Sequence, residues 1–249
     1  MSKSKSFLFS AAFLMSFSLL SSASEKQVED PSPERFENAI ESFKKWDSKN
    51  SSPDEAVLFI GSSSIRMWQT AEAFPHLPVI NRGFGGSHIS DIIHYCEDVV
   101  GSYDPAVIVF YAGDNDAASA KPPEQIFEDY KQLLSKIRSD YPNTPFVYLP
   151  IKPASSRWQY WDNMSKTNQL IRSYNQKSGN LYYVETASAL LTEDGRPNDQ
   201  LFLKDRLHLN KKGYEIWNNI LRPRLNSIYE KLKGNEGKSG SCEQRACGN

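Results

Sequence analysis

The sequence predicts an α/β fold with three layers, in which a five-stranded parallel sheet is covered by helices on both faces. Five short apolar segments alternate along the chain with longer segments whose apolar residues repeat at helical spacing. The first short segment, residues 56–60, is apolar at every position, which is typical of a parallel strand buried on both faces. No linker divides this alternation, so we expect one domain.

The candidate strands are residues 56–61, 79–81, 106–111, 145–151 and 181–184. A first helix is predicted after Ser32-Pro33, where a capping residue precedes a proline at the first helical position. The clearest helical patterns are the apolar positions Ile126, Tyr130, Leu133, Leu134 and Ile137, and the later stripe of Tyr214, Trp217, Leu221, Leu225, Ile228 and Leu232.

The first 24 residues predict a secretory signal peptide, which is excluded from the fold. Lys3 and Lys5 form a positive start, residues 7–20 are apolar or serine throughout, and small residues at 22–24 offer a cleavage site. A membrane anchor needs about 18 or more apolar residues, and this run is shorter and rich in serine. We therefore expect a secreted or periplasmic protein.

Cleavage after residue 24 leaves a domain at residues 25–233 and a glycine-rich tail, residues 234–249, which we expect to be flexible. Without Lys3 and Lys5 the 29 basic residues of the chain become 27 against 30 acidic ones, a net charge of −3. Nucleic-acid and membrane-surface partners favour a basic patch, so neither is expected. No later stretch is long and apolar enough to be a transmembrane segment.

The three cysteines do not make a disulfide framework for a domain of this size. Cys96 lies on an apolar helical pattern and is predicted to be a small buried residue. Cys242 and Cys247, in the tail, are able to close a small loop in an oxidising compartment. No cysteine and histidine cluster has zinc-site spacing, so no metal site is predicted.

The segments that follow the strands carry the residues with chemistry. In open α/β sheets, ligands gather outside the carboxyl ends of the strands, so these loops are considered together. The first is Gly61-Ser62-Ser63-Ser64, where a serine on the turn is well placed as a nucleophile. The alternative is that Ser62 or Ser64 caps the next helix.

The loop after the second strand is rich in glycine. Gly83-Phe84-Gly85 suggests a dinucleotide fingerprint, but His88 stands where its last glycine belongs. Closely spaced glycines also expose backbone N–H groups, and such donors hold an oxyanion. Asn115, after the third strand, is either a turn residue or an amide donor to the same oxyanion.

Asp205 and His208, just before the last helix, fit a general base with the carboxylate that orients it. The spacing of the pair is weak evidence by itself, because short motifs arise by chance. It gains weight because three other strand-end loops carry matching chemistry.

These four segments, in this order, resemble the SGNH (GDSL-type) hydrolase family, over about residues 51–232. Phe84-Gly85-Gly86 is most similar to the platelet-activating-factor acetylhydrolase-like branch, in which the second glycine is a donor. The resemblance implies a flavodoxin-like α/β/α fold, with Ser63 as nucleophile, Asp205 and His208 as orienting acid and base, and an oxyanion hole formed by Ser63, Gly86 and Asn115. It also implies a serine esterase that needs no metal or organic cofactor.

One position departs from the family pattern. Ser62 stands where the name-giving motif has an aspartate, which is not a triad member, so the turn geometry and substrate range are in question. The Gly-x-Ser-x-Gly elbow of α/β-hydrolases is excluded, because Ile65 stands where it needs glycine.

Residues 152–161, after the fourth strand, include Lys152, Arg157, Trp158, Tyr160 and Trp161. We predict that this segment lines or covers the cleft; the alternative is that its aromatic residues begin a helix and pack on the core. Exposed tryptophans would stack on the sugars of acetylated glycans or form the floor of an acyl pocket. Two functions follow: an esterase acting on a small-molecule or glycan ester, or a non-catalytic ligand- or carbohydrate-binding protein on the same fold.

Overall fold

A computed structural model describes the backbone of residues 27–246 and the side chains of residues 27–234. The strands in this part of the chain are β1 (Val57–Gly61), β2 (Val79–Gly83), β3 (Val107–Tyr111), β4 (Phe146–Tyr148) and β5 (Leu181–Tyr183). They form one parallel sheet in the order β2-β1-β3-β4-β5. This is the flavodoxin-like order, and it confirms the predicted five-stranded parallel sheet.

The α-helices described are α1 (Glu37–Asp47), α2 (Ser63–Arg66), α3 (Thr70–Ala73), α4 (Ile89–His94), α5 (Asp114–Ala118), α6 (Pro123–Asp140), α7 (Trp161–Asn175) and α8 (Lys211–Ala246). Short 3-10 turns span Pro33–Phe36, Ser155–Tyr160, Ser188–Leu190 and Asp199–Leu201, and a π turn spans Glu97–Gly101. The first helix thus begins as a 3-10 turn, and Ser32 makes no side-chain capping bond there.

Helix α8 continues past Gly234, where the sequence analysis places the start of a tail. The flexibility of that tail stays a prediction. The predicted signal peptide lies outside the described residues, and the side chains of Cys242 and Cys247 are also outside them.

The sheet separates two apolar cores because alternate residues of each strand point to opposite faces. On one face, Leu58, Ile108 and Phe146 pack among the apolar residues of α1, α4, α6 and α7. On the other, Phe59 and Val109 pack beneath the buried stripe of α8. The residues of β1, β3 and β4 are all buried and those of β5 are half-buried, and the helical stripes predicted for α6 and α8 are confirmed.

Strand β4 is shorter than the predicted segment 145–151, although the chain stays buried beyond it. Pro150 has no N–H to continue the ladder, and beyond it the Asn168 carbonyl accepts from the Ile151 N–H (2.8 Å) while the Asn168 amide donates to the Ile151 carbonyl (2.9 Å). Asn168 of α7 therefore satisfies backbone groups that a longer ladder would have paired. This frees the chain after β4 to turn toward the loops described below.

Cys96 is buried, as predicted, and burial raises the pKa of its thiol to about 11. Within residues 27–246 no helix combines the length and the hydropathy that crossing a bilayer requires.

Candidate active site

Ser63 begins α2 directly after β1, on a turn that the backbone builds. A β-carbon on Gly61 would lie 1.9 Å from the Tyr111 carbonyl oxygen, so only glycine fits where β1 passes β3. The Ser62 N–H donates to that same oxygen (3.0 Å), and the Ser62 carbonyl accepts from the Arg66 N–H (3.1 Å). The turn holds Ser63 at the carboxyl end of β1, where little of its side chain is exposed.

The structure brings His208 to Ser63. The His208 Nε2 and Ser63 Oγ atoms are 3.0 Å apart although 145 residues separate them in the chain. The Nδ1 atom of the same ring lies 2.6 Å from the Asp205 Oδ2 atom. The three side chains form a continuous chain of contacts from serine to imidazole to carboxylate, here called the relay; their catalytic roles stay a prediction.

The carboxylate decides the tautomer of the ring. An ionised carboxylate only accepts, so the Nδ1–H of His208 donates to Asp205, and Nε2 is left to accept from the Ser63 hydroxyl. The second oxygen of Asp205 accepts from the N–H groups of Leu207 and His208, each at 3.0 Å. The loop thereby fixes the carboxylate as well as the ring.

The Asp205 carboxyl keeps its charge over a wide pH range. Burial raises its pKa, but the hydrogen bonds from the His208 ring and from the two backbone N–H groups outweigh this and lower the pKa to about 2. The side chain is 46% exposed, so water also contacts the carboxylate.

The loop after β2 starts beside the turn of Ser63. The Phe84 N–H donates to the Gly61 carbonyl (3.0 Å), and the Asn81 amide donates to the Ile65 carbonyl (2.8 Å). Gly86 is exposed and has φ +89°, in the left-handed region that favours glycine. Because glycine has no side chain, no side-chain atom of Gly86 covers its backbone N–H. The hydrogen bonds of Phe84 and Asn81 anchor this loop beside the turn of Ser63.

Asn115 joins this loop from α5. Its side-chain amide donates to the Ser87 carbonyl (3.1 Å), which leaves the second N–H of the amide for another acceptor. Gly113, at φ +117°, makes the turn into α5, and a β-carbon there would lie 2.6 Å from the Ile151 Cδ1 atom. The structure thus brings Asn115 and the Gly86 loop together, and Asn115 does more than fill a turn.

A buried ion pair behind Asn115 is not foreseen in the sequence. The Lys152 ammonium donates to the Asp114 carboxylate (3.1 Å) and to the Tyr111 hydroxyl (3.0 Å), and the Lys152 side chain is fully buried. Burial raises the pKa of Asp114, but Lys152 outweighs this, and the pKa is lowered. Lys152 belongs to the segment predicted to line the cleft, but its side chain lies inside the domain.

The rest of that segment packs beside the loop of the relay. The Ser156 hydroxyl donates to the Arg206 carbonyl (3.0 Å), one residue after Asp205. The Trp158 ring stacks on Trp161 at 5.6 Å, and the Arg196 guanidinium lies 4.8 Å from its centroid. Because Trp161 and Arg196 both contact the Trp158 ring, the alternative in which this aromatic residue packs within the protein is favoured. That the segment lines or covers the cleft stays a prediction.

The model of the GDSL-like lipase/acylhydrolase family matches residues 61–216, more than half of the chain. The chain belongs to this family. The matched range includes Ser63, Asp205 and His208, and also the loops of Gly86 and Asn115. Comparison with curated protein sequences gives no significant match.

Several solved structures share the fold of this GDSL-like protein. A protein of Streptococcus pneumonia named as a platelet activating factor is 21% identical, with a TM-score of 0.68, and the match covers 77% of this chain and 93% of that one. A GDSL-like lipase from Bacteroides thetaiotaomicron VPI-5482 is 18% identical, with a TM-score of 0.64 and coverage of 77% and 98%. A carbohydrate esterase family 3 protein from Talaromyces cellulolyticus is 16% identical, with a TM-score of 0.56 and coverage of 71% and 98%.

The departure at Ser62 leaves the turn of this GDSL-like protein intact. The backbone of Ser62 makes the bonds that build the turn, and its side chain makes no capping bond to α2. Its hydroxyl is buried and has no hydrogen-bond partner among the described residues. The capping interpretation therefore does not describe Ser62.

Proposed function

We propose that this GDSL-like protein is a serine esterase that hydrolyses carboxylic esters with acetyl or other short acyl groups. The observation that carries the proposal is the relay: Ser63 Oγ at 3.0 Å from His208 Nε2, and His208 Nδ1 at 2.6 Å from Asp205. A hydroxyl, a base and an orienting carboxylate at these distances are the minimum for nucleophilic acyl transfer.

In the first half of the reaction, His208 takes the Ser63 proton as Oγ attacks the ester carbonyl. Asp205 holds the imidazole in the tautomer that leaves Nε2 free, and stabilises the imidazolium that forms, without taking the proton itself. His208 then gives the proton to the leaving alcohol, and the acyl group stays on Ser63.

The negative oxygen of the tetrahedral intermediate requires donors. We assign the backbone N–H groups of Ser63 and Gly86 and the free amide N–H of Asn115 to this role. Removing one donor of this kind typically costs about 10²–10³ in rate. The bond from Asn115 to the Ser87 carbonyl supports the assignment, since it places the amide on the loop of Gly86.

Water completes the cycle in the second half. It attacks the acyl-enzyme while His208 accepts its proton; His208 then returns the proton to Ser63 Oγ as the bond to the acyl carbon breaks, and the carboxylic acid leaves. All of these steps use side chains and backbone groups of this chain.

The experiment that tests the function is turnover of p-nitrophenyl acetate by the wild type and by Ser63→Ala. We expect turnover by the wild type and a loss of about 10⁴-fold or more in the variant, with an unchanged thermal midpoint. Equal release of product by both proteins would favour the binding-protein alternative. Acetate release from acetylated xylan, compared with a series of acyl-chain lengths, separates glycan from lipid-like substrates.

We also propose that the protein is secreted or periplasmic after cleavage near residue 24. The leader-like composition of residues 1–24 supports this. N-terminal sequencing of the protein recovered outside the cytoplasm would show a start near residue 25, and a retained Met1 would contradict the proposal.

A further inference from the structure

The residues before α1, numbers 27–36 and here called the N-terminal segment, lie against the loops that carry the assigned oxyanion donors. Val28 and the Gln125 side chain exchange two hydrogen bonds, at 2.9 and 2.7 Å. The Arg35 guanidinium pairs with the buried Asp91 carboxylate at 2.5 Å. The segment is thus held at both ends, to α6 and to α4.

Phe36, at the end of this segment, reaches the glycine loop itself. Its ring packs edge-to-face on Phe84 with 5.1 Å between centroids. A β-carbon on Gly86 would lie 4.0 Å from the Phe36 Cζ atom. The N-terminal segment therefore forms part of the surroundings of Gly86.

Asp30, in the middle of the segment, contacts both sides of the oxyanion hole with one carboxylate oxygen. It accepts from the Ser90 hydroxyl (2.6 Å), on the helix that follows the Gly86 loop. The same atom lies 2.5 Å from the Lys121 ammonium, just after the helix that carries Asn115. Ser90 lies close in the chain to Gly86, and Lys121 lies close in the chain to Asn115.

The Lys121 ammonium extends this connection into the core. Its side chain is 0% exposed, and two more carboxylates, Asp116 (3.1 Å) and Asp129 (2.6 Å), contact the ammonium. The buried Asp116 follows Asn115 and accepts from the Ile89 N–H at 3.2 Å. Asp116 therefore connects the helix of Asn115 to the start of α4, next to the Gly86 loop, inside the domain, and Asp30 makes a second connection nearer the surface.

We propose that Asp30 is a positioning residue for the oxyanion hole: it ties the Gly86 loop to the Asn115 helix and so keeps the two donors at a fixed separation. The inference rests on the proposed function and extends it to a segment outside the four motif loops. Preorganised donors stabilise a developing charge only while they stay in place, and an error of about 1 Å in catalytic geometry can cost up to about 10² in rate.

The test compares Asp30→Ala with Asp129→Ala. Both remove one carboxylate from Lys121, but only Asp30 also contacts the Gly86 side. We expect Asp30→Ala to lower kcat for p-nitrophenyl acetate about tenfold with KM within about twofold, and Asp129→Ala to leave kcat within about twofold. Asp30→Asn keeps an acceptor for Ser90 and should recover most of the lost kcat.

Two results would overturn the proposal. One is an equal change in kcat for Asp30→Ala and Asp129→Ala, which would show that the cluster only supports the fold. The other is a raised KM with unchanged kcat in Asp30→Ala, which would assign Asp30 to substrate binding.

A second measurement is independent of esterase activity. In ¹⁵N-labelled protein, Asp30→Ala should shift the backbone amide signal of Gly86 and the side-chain amide signals of Asn115, while Asp129→Ala leaves both in place. Unshifted signals in Asp30→Ala would reject the positioning role even if the wild type hydrolyses no ester. A wild type without turnover would instead reject the proposed function alone.

Discussion

The two halves of the candidate site are built in different ways. The relay half comprises Ser63, Asp205 and His208: Ser63 is buried, but the Asp205 and His208 side chains are 46% and 22% exposed. The oxyanion half, Gly86 and Asn115, is backed by Lys121 and Lys152, whose side chains are 0% exposed and which pair with carboxylates.

The difference fits the roles that we propose for the two halves. A base that exchanges protons with water and with a leaving alcohol needs access to both. Dipoles that stabilise a charge have to stay fixed, and buried ion pairs with good geometry resist rearrangement because separating them leaves an unpaired buried charge. We therefore expect changes in the relay half to cost activity and changes behind the oxyanion half to cost stability as well.

The largest effect should come from Asp205→Asn, which breaks the relay without disturbing the fold. The amide can keep accepting from the backbone, but it presents N–H to His208 Nδ1, so the proton moves to Nε2, which then cannot accept from Ser63. We expect kcat/KM to fall by about 10³–10⁴, or roughly 4–6 kcal/mol of transition-state stabilisation. Ester turnover and thermal unfolding measured side by side check this.

The matched control is Asp199→Asn, a similarly exposed carboxylate that contacts Arg206 in the same loop region at 3.4 Å. It should keep kcat/KM within about twofold, because surface ion pairs contribute little. A comparable loss in both variants would mean that the loop charge, and not the tautomer of His208, controls the rate.

The next effect should come from Lys152→Met, behind the other half. Removing the ammonium leaves the Asp114 carboxylate buried without its partner, and loss of one member of a buried pair typically costs about 3–5 kcal/mol. We expect this loss in the free energy of unfolding, measured by urea denaturation, together with lower kcat because α5 carries Asn115.

The exposed pair of Arg172 and Glu185, at 3.7 Å, supplies the control for this change. Arg172→Met should cost less than about 1 kcal/mol. Adding Asp114→Asn to Lys152→Met should recover much of the lost stability, since it removes the unpaired charge. No recovery in the double variant would show that the lysine stabilises through its hydrocarbon chain instead.

The same contrast explains what the sequence could predict. Local patterns predict much of the fold. A continuous apolar run predicts a strand, a repeat of apolar positions predicts the stripes of α6 and α8, and glycines with polar residues at a strand end indicate the four motif loops. The sequence therefore predicted the parallel sheet, and it also named Ser63, Asp205 and His208, which the structure brings together.

The support of the oxyanion half has no local pattern. Lys121 and Lys152 look like ordinary surface lysines in the sequence, and only the tertiary structure shows three carboxylates around one and a carboxylate with a tyrosine around the other. Asn168 likewise bonds to both backbone groups of Ile151 after β4, and no spacing rule describes these side-chain bonds. The sequence does place Asp114 and Asp116 on either side of Asn115, but turns also favour aspartate, so this pattern does not distinguish a buried ion pair from a turn.

The smallest predicted effect is a pH dependence of the stability, which has opposite signs for Asp116, behind the oxyanion half, and for Asp205, in the relay half. Burial raises the pKa of Asp116 to about 6, and Lys121 offsets only part of this, whereas the pKa of Asp205 is lowered to about 2. Between pH 4 and 6 the folded protein holds a proton on Asp116 that the unfolded chain releases, so this residue contributes less stability as the pH rises. Asp205 behaves oppositely: its contribution is complete above the unfolded pKa of about 3.9 and is lost only as the pH falls toward 2.

Asp116→Asn should therefore gain unfolding free energy relative to the wild type as the pH rises from 4 to 8, by on the order of 2 kcal/mol, since one pKa unit corresponds to about 1.4 kcal/mol. For Asp205→Asn the difference from the wild type should stay flat from pH 5 to 8. Urea denaturation at a series of pH values measures both differences. The same pH dependence in both variants would mean that burial does not distinguish the two carboxylates. The contrast between the exposed carboxylate of the relay and the buried support of the oxyanion half would then lose its electrostatic basis.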